Sequence, residues 1–285
     1  MSRGPRQDGG AGPATSPGAK SRPGFAVGRD GARAVTRSLP EEVPVAVTFN
    51  GSTLAVMMAT PLDLADFAYG FAFTEGAIGA VGEVESFELV THPRGIEARF
   101  WLAEARAEAL KARRRRMAGP VGCGLCGIDS LDEAVRTVPS VGAGLRLARA
   151  EIAAATEALK RHQPLHDRTH AVHAAGFLAP GAGIVHARED VGRHNALDKL
   201  IGAMLHAGVD ASAGAIVLTS RISVEMVQKT AMAGAPVIVA ASAPTALALE
   251  TAEAAGITLA AFARDGGFDL YSHPERVQTG ASDVA

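Results

Sequence analysis

Residues 215–241, AIVLTSRISVEMVQKTAMAGAPVIVAA, decide the fold class of this chain. Two apolar runs at 215–219 and 237–241 have the length and composition of buried strands, and they flank a segment that is expected to be helical from about Val224. The same alternation continues on both sides, with strands expected at 171–178, 183–187 and 258–262 and helices from about residues 196 and 244. This alternation predicts a layered sheet with helices on its faces.

A smaller unit precedes this region. Residues 43–49 and 53–58 are β-rich runs, and Asn50-Gly51 between them favours a two-residue hairpin turn. A helix is expected from about Pro61 to Glu75, followed by two strands and a second helix, at 84–90, 95–102 and 103–117. The expected fold class is therefore α/β (α+β), with a smaller N-terminal domain and a larger C-terminal one.

Composition divides the chain into four expected segments. Gly and Pro supply 12 of the first 34 residues and Phe25 is the only aromatic residue there, so this stretch has too little apolar surface to offset the entropy lost on ordering. We expect a disordered tail over 1–34, a small α/β domain over 35–118, a mobile cysteine loop over 119–130 and a larger α/β domain over 131–280.

Charge and hydropathy narrow the functional classes. A net charge of −2 and a pI near 6.5 are not those of a broadly basic nucleic-acid-binding protein. The longest uncharged run, 230–249, contains Gly234, Pro236 and Pro244, so it reads as buried core and not as a membrane span. Two cysteines are too few for a disulfide scaffold, and no apolar leader segment follows the start. A cytoplasmic protein that binds neither nucleic acid nor membrane is expected.

Three strands of the larger domain end in polar residues just before a helix. Arg193 and His194 lie at the first helix start, Arg221 lies at the second, and the third begins in Ser-Ala-Pro-Thr at 242–245. At the first start, Asn195 is expected to cap the helix. Unpaired N–H groups at helix starts and nearby arginines suit an anion, so an anion or nucleotide crevice is one interpretation and ordinary capping is the other.

The segment FARDGG at 262–267 follows the last predicted strand. Asp265-Gly266 favours a hairpin turn, and that interpretation is preferred on sequence alone. The alternative is that the glycines allow the backbone to approach a phosphate beside Arg264.

Cys123 and Cys126 are the only cysteines in the chain and lie in a glycine-rich Cys-x-x-Cys. A structural zinc site needs four ligands, and no second pair with metal-ligand spacing is present. A redox pair and a sulfur carrier are the other possibilities, the carrier holding sulfur as a cysteine persulfide on a loop that reaches two partners. Sulfur or redox chemistry is favoured over metal, and no metal site is expected.

Four motifs together closely resemble the FdhD/NarQ family of formate dehydrogenase accessory proteins. They are CGLCG at 123–127, EDVGRHNALDK at 189–199, SRISVEM at 220–226 and SAPT at 242–245, and the resemblance runs from about residue 40 to residue 276. The long match at 189–199 is highly specific. This chain departs from the family at 169–173, where Thr-His-Ala-Val-His stands in place of a glycine-rich stretch, and at Gly266-Gly267, where some relatives have a basic residue.

The resemblance implies a sulfurtransferase. Such a protein takes sulfur from a cysteine desulfurase as a persulfide and transfers it to the molybdenum bis(guanine dinucleotide) cofactor, its bound substrate, before that cofactor is inserted into formate dehydrogenase. It further implies a homodimer and a three-layer α/β/α larger domain similar to the cytidine deaminase fold, without a zinc site. The persulfide position falls on Cys123, with Cys126 as its assistant or resolving partner.

The cofactor-binding segment of the family falls on 262–267. The residues expected to bind the cofactor are therefore Phe262, Ala263, Arg264, Asp265, Gly266 and Gly267, and the anion crevice adds Arg193 and Arg221. The alternative function is a non-catalytic chaperone for the cofactor or the apo-enzyme, in which the two cysteines are structural.

Overall fold

A β-hairpin opens the part of the chain that the computed structural model describes, residues 18–117 and 137–278. Strands β1 (Ala19–Gly28) and β2 (Gly31–Pro40) pair antiparallel over their whole length, and Phe25 is 77% exposed. The prediction of a disordered tail over 1–34 is therefore wrong for residues 19–34. The prediction considered only the apolar surface that this stretch could bury. Backbone hydrogen bonds hold the hairpin, and its base is anchored through the buried residue Ala19, which clusters with Leu165 and Val172.

A four-stranded sheet follows, as the sequence predicts. Strands β3 (Val43–Phe49) and β4 (Ser52–Ala59) form the expected hairpin, with positive φ at Asn50 and Gly51 as a tight two-residue turn requires. After helix α1 (Leu64–Thr74), strands β5 (Val84–His92) and β6 (Gly95–Leu102) complete the sheet in the order β4-β3-β6-β5. Helix α2 (Glu104–Met117) ends this unit.

The larger unit is built on a six-stranded mixed sheet. Its strands lie in the order β13-β12-β11-β10-β8-β9, with β10, β11 and β12 parallel and their outer neighbours antiparallel. The two short strands β7 (Leu147–Ala148) and β14 (Val277–Gln278) pair outside this sheet. The strand bounds are β8 His173–Ala179, β9 Gly183–Asp190, β10 Ala215–Leu218, β11 Val237–Ala240, β12 Thr258–Arg264 and β13 Gly267–Leu270.

Helices cover both faces of this sheet. Along β10, Ile216 and Leu218 pack into a core shared with three helices, whereas Ala215 and Val217 face the opposite core, which a single long helix covers. Alternate residues on opposite faces explain why the strand reads as a continuous apolar run. Helix α3 (Arg149–Lys160) covers one face, and α5 (Arg193–Ala207), α6 (Val224–Ala233) and α7 (Ala246–Ala255) cover the other. The short helix α4 (Pro164–Thr169) follows α3 in the chain.

The two units are joined by very close packing of α1 against α5. Gly70 on α1 and Gly202 on α5 lie at the crossing, where an added Cβ on Gly70 would overlap the carbonyl oxygen of Asp198, and one on Gly202 would overlap that of Asp66. The missing side chains let the two backbones touch. Within the described ranges, no helix is both long and apolar enough to cross a membrane.

Candidate functional site

The polar residues of the motif 189–199 are mostly buried and connect the two units. The Asp190 carboxylate accepts a hydrogen bond from the Thr60 backbone N–H at 2.9 Å and pairs with Lys199 Nζ at 2.7 Å. Lys199 Nζ also donates to the Thr60 carbonyl oxygen at 3.0 Å. Both charged side chains are fully buried, so this pair fastens Thr60, which follows β4, to the end of β9 and to the middle of α5.

A second buried ion pair lies on the other side of α5. Lys229 Nζ of α6 lies 2.9 Å from both carboxylate oxygens of Asp198, and it donates to Thr74 Oγ1 at 2.9 Å. Glu75 Oε1 lies 3.3 Å from the same nitrogen. Burial raises the pKa of Asp198, and the charge of Lys229 opposes this shift. Helices α1, α5 and α6 therefore meet at one ammonium group.

The expected cap at the start of α5 is not formed. Gly192 precedes the helix and no side chain caps it, whereas Asn195 Nδ2 donates to the Met58 carbonyl oxygen at 2.7 Å and to Asp190 Oδ1 at 3.0 Å. The capping prediction is wrong because the Asn195 side chain instead makes tertiary hydrogen bonds, one of them to Met58 of β4. The polar residues of the motif 189–199 thus hold the two units together.

A cavity of about 1260 Å³ lies at the carboxyl ends of the three parallel strands. Thr219 follows β10, Ala241 follows β11 and Arg264 ends β12, and all three line it. In open α/β sheets ligands bind outside the carboxyl ends of strands, so this is the candidate site. Helices α3 and α4 supply the other wall, including Ala150, Ala153, Ala154, Thr156, Glu157, Lys160, Gln163, His166, Asp167 and His170.

Three histidines share this cavity. The His166 and His170 rings meet edge to face with centroids 5.4 Å apart, and His173 lies at the start of β8. Burial lowers the pKa of His173, and the charge of Arg193 lowers it further. His170 has a φ of 51°, so the departure from a glycine-rich stretch at 169–173 places a histidine in the left-handed region. No sequence motif assigns these histidines to the site, although their close spacing along the chain was a signal.

The segment 262–267 forms the predicted hairpin turn and also lines the cavity. Arg264 of β12 pairs with Gly267 of β13. The residues facing the cavity are Ala263, Arg264, Asp265 and Gly266. Phe262 has a φ of 51° at a bulge in β12, and with Gly267 it lines a neighbouring cavity of about 420 Å³. The segment can therefore be both a hairpin turn and part of a ligand-binding wall.

The other predicted residues are distributed more widely. Arg193 is near enough to His173 to influence its pKa, whereas Arg221 is exposed and lines neither cavity. The second and third helix starts are joined to each other by a bridge between Ile222 and Pro244. Cys123 and Cys126 lie outside the described residues. Among residues 18–110 and 137–278, no group of three or more His, Cys, Asp or Glu could hold a metal ion.

Acid is expected to destabilise the fold through His194. Burial, followed by the charge of Arg193, lowers the pKa of His194 below its ordinary value of 6.5. Below pH 6.5 the unfolded chain therefore binds more protons at this position than the folded protein, so its contribution to stability is lost as the pH falls. Urea unfolding at pH 7 and pH 5.5 should show a smaller drop for His194→Gln than for the wild type. The control His162→Gln, at an exposed position, should match the wild type, and an equal drop in all three proteins contradicts the prediction.

Comparison with known proteins agrees with the motifs. The FdhD/NarQ family matches residues 40–278. The chain is 53% identical over 242 residues to "Sulfur carrier protein FdhD" of Agrobacterium fabrum, covering 85% of this chain and 89% of that protein. It is 44% identical over 275 residues to the protein of the same name from Xanthomonas axonopodis, covering 94% of this chain and 98% of that protein.

A solved structure has the same fold. A crystal structure from Desulfotalea psychrophila, described as that of a formate dehydrogenase accessory protein, superposes with a TM-score of 0.73 at 26% identity. The superposition covers 92% of this chain and 100% of that one. Motifs, sequence identity and fold agree over nearly the whole described chain, and this protein belongs to the FdhD/NarQ family.

Proposed function

We propose that this protein is a sulfur carrier that serves the maturation of formate dehydrogenase. It accepts sulfur from a cysteine desulfurase as a persulfide on Cys123 and transfers it to the molybdenum bis(guanine dinucleotide) cofactor before that cofactor enters the enzyme. The observation that carries the proposal is the large cavity bordered by residues 263–266, in a chain about half identical to proteins named sulfur carriers.

The cavity fits a large ligand that carries phosphates. Its volume of about 1260 Å³ exceeds that of ordinary small-molecule pockets, which run to about 1000 Å³. Arg264 and Lys160 supply cations to a lining that also holds the carboxylates of Glu157, Asp167 and Asp265. Glu157 pairs with Lys160 at 2.7 Å, so Arg264 and the cavity histidines are the better candidates for phosphate contacts.

The sulfur chemistry proceeds in two steps. In the first, the Cys123 thiolate attacks the outer sulfur of the desulfurase persulfide, which forms the Cys123 persulfide and releases the desulfurase thiolate without net oxidation. In the second, the Cys126 thiolate attacks the inner sulfur. A Cys123–Cys126 disulfide forms, and the outer sulfur leaves as hydrosulfide for the cofactor, with both electrons supplied by Cys126. A cellular dithiol then reduces the disulfide.

Several structural features complete the proposal. We propose that the larger unit has a cytidine deaminase-like fold without a zinc site, and that residues 119–130, which lie outside the described residues, carry sulfur between the partners. The two domains are residues 35–118 and 131–280, and they pack against each other through α1 and α5. The protein works in the cytoplasm as a homodimer, and it associates with formate dehydrogenase and not with nucleic acid or membranes. The alternation of strands and helices over residues 173–264 supports the fold assignment.

The test is sulfur labelling by a desulfurase. Incubation of the protein with a cysteine desulfurase and cysteine, followed by intact mass measurement, should show one added sulfur on Cys126→Ala, whereas the wild type should show the added sulfur together with the Cys123–Cys126 disulfide that its release leaves. Cys123→Ala should show none, because it lacks the accepting thiolate. Labelling that persists in Cys123→Ala contradicts the assignment. Activation of formate dehydrogenase by a Cys123→Ala/Cys126→Ala variant supports the chaperone alternative instead.

A further inference from the structure

Gln163 is a buried polar residue whose side chain has no partner among the residues that the structure describes. It is 3% exposed and lies between α3 and α4 on the cavity wall. Its backbone N–H donates to the Lys160 carbonyl oxygen at 3.2 Å, and its own carbonyl oxygen accepts from Asp167 N–H at 3.0 Å. Within residues 18–110 and 137–278, its side-chain amide makes no hydrogen bond. Buried amides are nearly always paired, so an unpaired one needs an explanation.

The unpaired amide opens into the cavity. Buried polar atoms that are both unpaired and closed off from solvent occur elsewhere among the described residues, on Arg193 and Arg276 for example, but neither side-chain polar atom of Gln163 is among them. The little exposure that Gln163 retains therefore includes its amide, and the cavity is the space that it lines. A ligand in the cavity can reach this donor and acceptor.

The backbone around Gln163 is held in place. Pro164 follows it and restricts the chain, and the two carboxylate oxygens of Glu189 accept hydrogen bonds from the N–H groups of Leu165 and His166, each at 2.8 Å. Burial raises the pKa of Glu189, and these two bonds oppose the shift. The first residue of the motif 189–199 thus fixes the start of α4, so the amide is presented to the cavity from a fixed position.

We propose that Gln163 is a specificity-determining residue that pairs with the ring edge of a 2-amino-4-oxopyrimidine. Such an edge presents an N–H donor beside a C=O acceptor, and a side-chain amide complements both at once. Guanine and pterin rings both carry this edge, so the ligand part that occupies this position is either a guanine base or a pterin. The inference rests on the proposed function, because it takes the cavity as the cofactor site.

The test compares ligands that have the edge with one in which it is blocked. We expect isothermal titration calorimetry to show that Gln163→Met weakens binding of guanosine diphosphate or of 6-hydroxymethylpterin by about 10- to 100-fold, because two hydrogen bonds are lost. The ligand that loses affinity identifies the ring. 1-Methylguanosine diphosphate, in which a methyl group on N1 replaces the N–H donor and blocks the edge, should bind weakly and equally to both proteins. The control Gln278→Met makes the same chemical change on β14, away from the cavity, and should bind like the wild type.

Thermal unfolding separates recognition from a structural role. Without ligand, Gln163→Met should unfold at the same temperature as the wild type or higher, since an unpaired buried amide is replaced by an apolar side chain of similar length. A lower unfolding temperature, or unchanged affinity for both ring ligands, overturns the role of Gln163. Wild-type protein that binds neither ligand overturns the cavity assignment and this inference with it, whereas sulfur labelling of Cys123 is measured independently and can still succeed.

Discussion

Asp198→Ala is expected to lower the free energy of unfolding by about 3 kcal/mol, the lower end of the cost of breaking a buried ion pair, because the buried Lys229 ammonium group loses its closest carboxylate and keeps only that of Glu75, at 3.3 Å. Asp198 is 1% exposed and Lys229 is 6% exposed, so water cannot replace the lost contacts. Thr74 Oγ1 offers the ammonium only a neutral acceptor. Urea unfolding measured by circular dichroism gives the magnitude.

Two comparisons make this prediction specific. The double variant Asp198→Leu/Lys229→Met should recover most of the lost stability, because a buried ion pair replaced by apolar side chains of similar volume is often neutral or stabilising. Glu157→Ala removes a partner from an exposed ion pair on α3 and should leave the unfolding midpoint unchanged. A single Asp198→Ala variant as stable as the wild type contradicts the role given to this pair.

Gly202→Ala is expected to destabilise the protein by about 3 kcal/mol or more, at the upper end of the cost of overpacking. On helix propensity alone the same change would stabilise the protein by about 0.5–1 kcal/mol, since glycine is unfavourable inside a helix. The new methyl group would overlap the Asp66 carbonyl oxygen, which is backbone and cannot rotate away. Helix α5 would have to move from α1, and Thr74 and Asp198 would separate.

Chemical denaturation distinguishes overlap from helix propensity, because the first lowers the free energy of unfolding and the second raises it. Gly70→Ala should behave similarly, because its Cβ would overlap the Asp198 carbonyl oxygen and lie 2.9 Å from the Gly202 nitrogen. Gly82→Ala is the control, since an added Cβ there meets nothing within 4 Å. If Gly202→Ala proves as stable as the wild type, the backbones of α1 and α5 are not in contact in solution.

Local patterns predicted most of the secondary structure. The apolar runs of β10 and β11 and the Asn50-Gly51 turn each depend on residues that are close along the chain, and the structure confirms all three. The hairpin of β1 and β2 was missed because its base docks against α4 through Leu165, far away in sequence. The capping role given to Asn195 was wrong for the same kind of reason.

The sequence by itself determined the fold class, the family and the presence of the cysteine pair on which the proposed sulfur chemistry rests, because periodicity and motif spacing are local properties. Only the tertiary structure decided what the polar residues of 189–199 do and which groups share a cavity. Thr60 and Asp190 are 130 positions apart, and Lys229 and Thr74 are 155 positions apart. The role of a buried polar residue depends on its partners in the folded protein. Lys199 is paired with Asp190, whereas the Gln163 amide has no partner among the described residues. No local pattern contains that information.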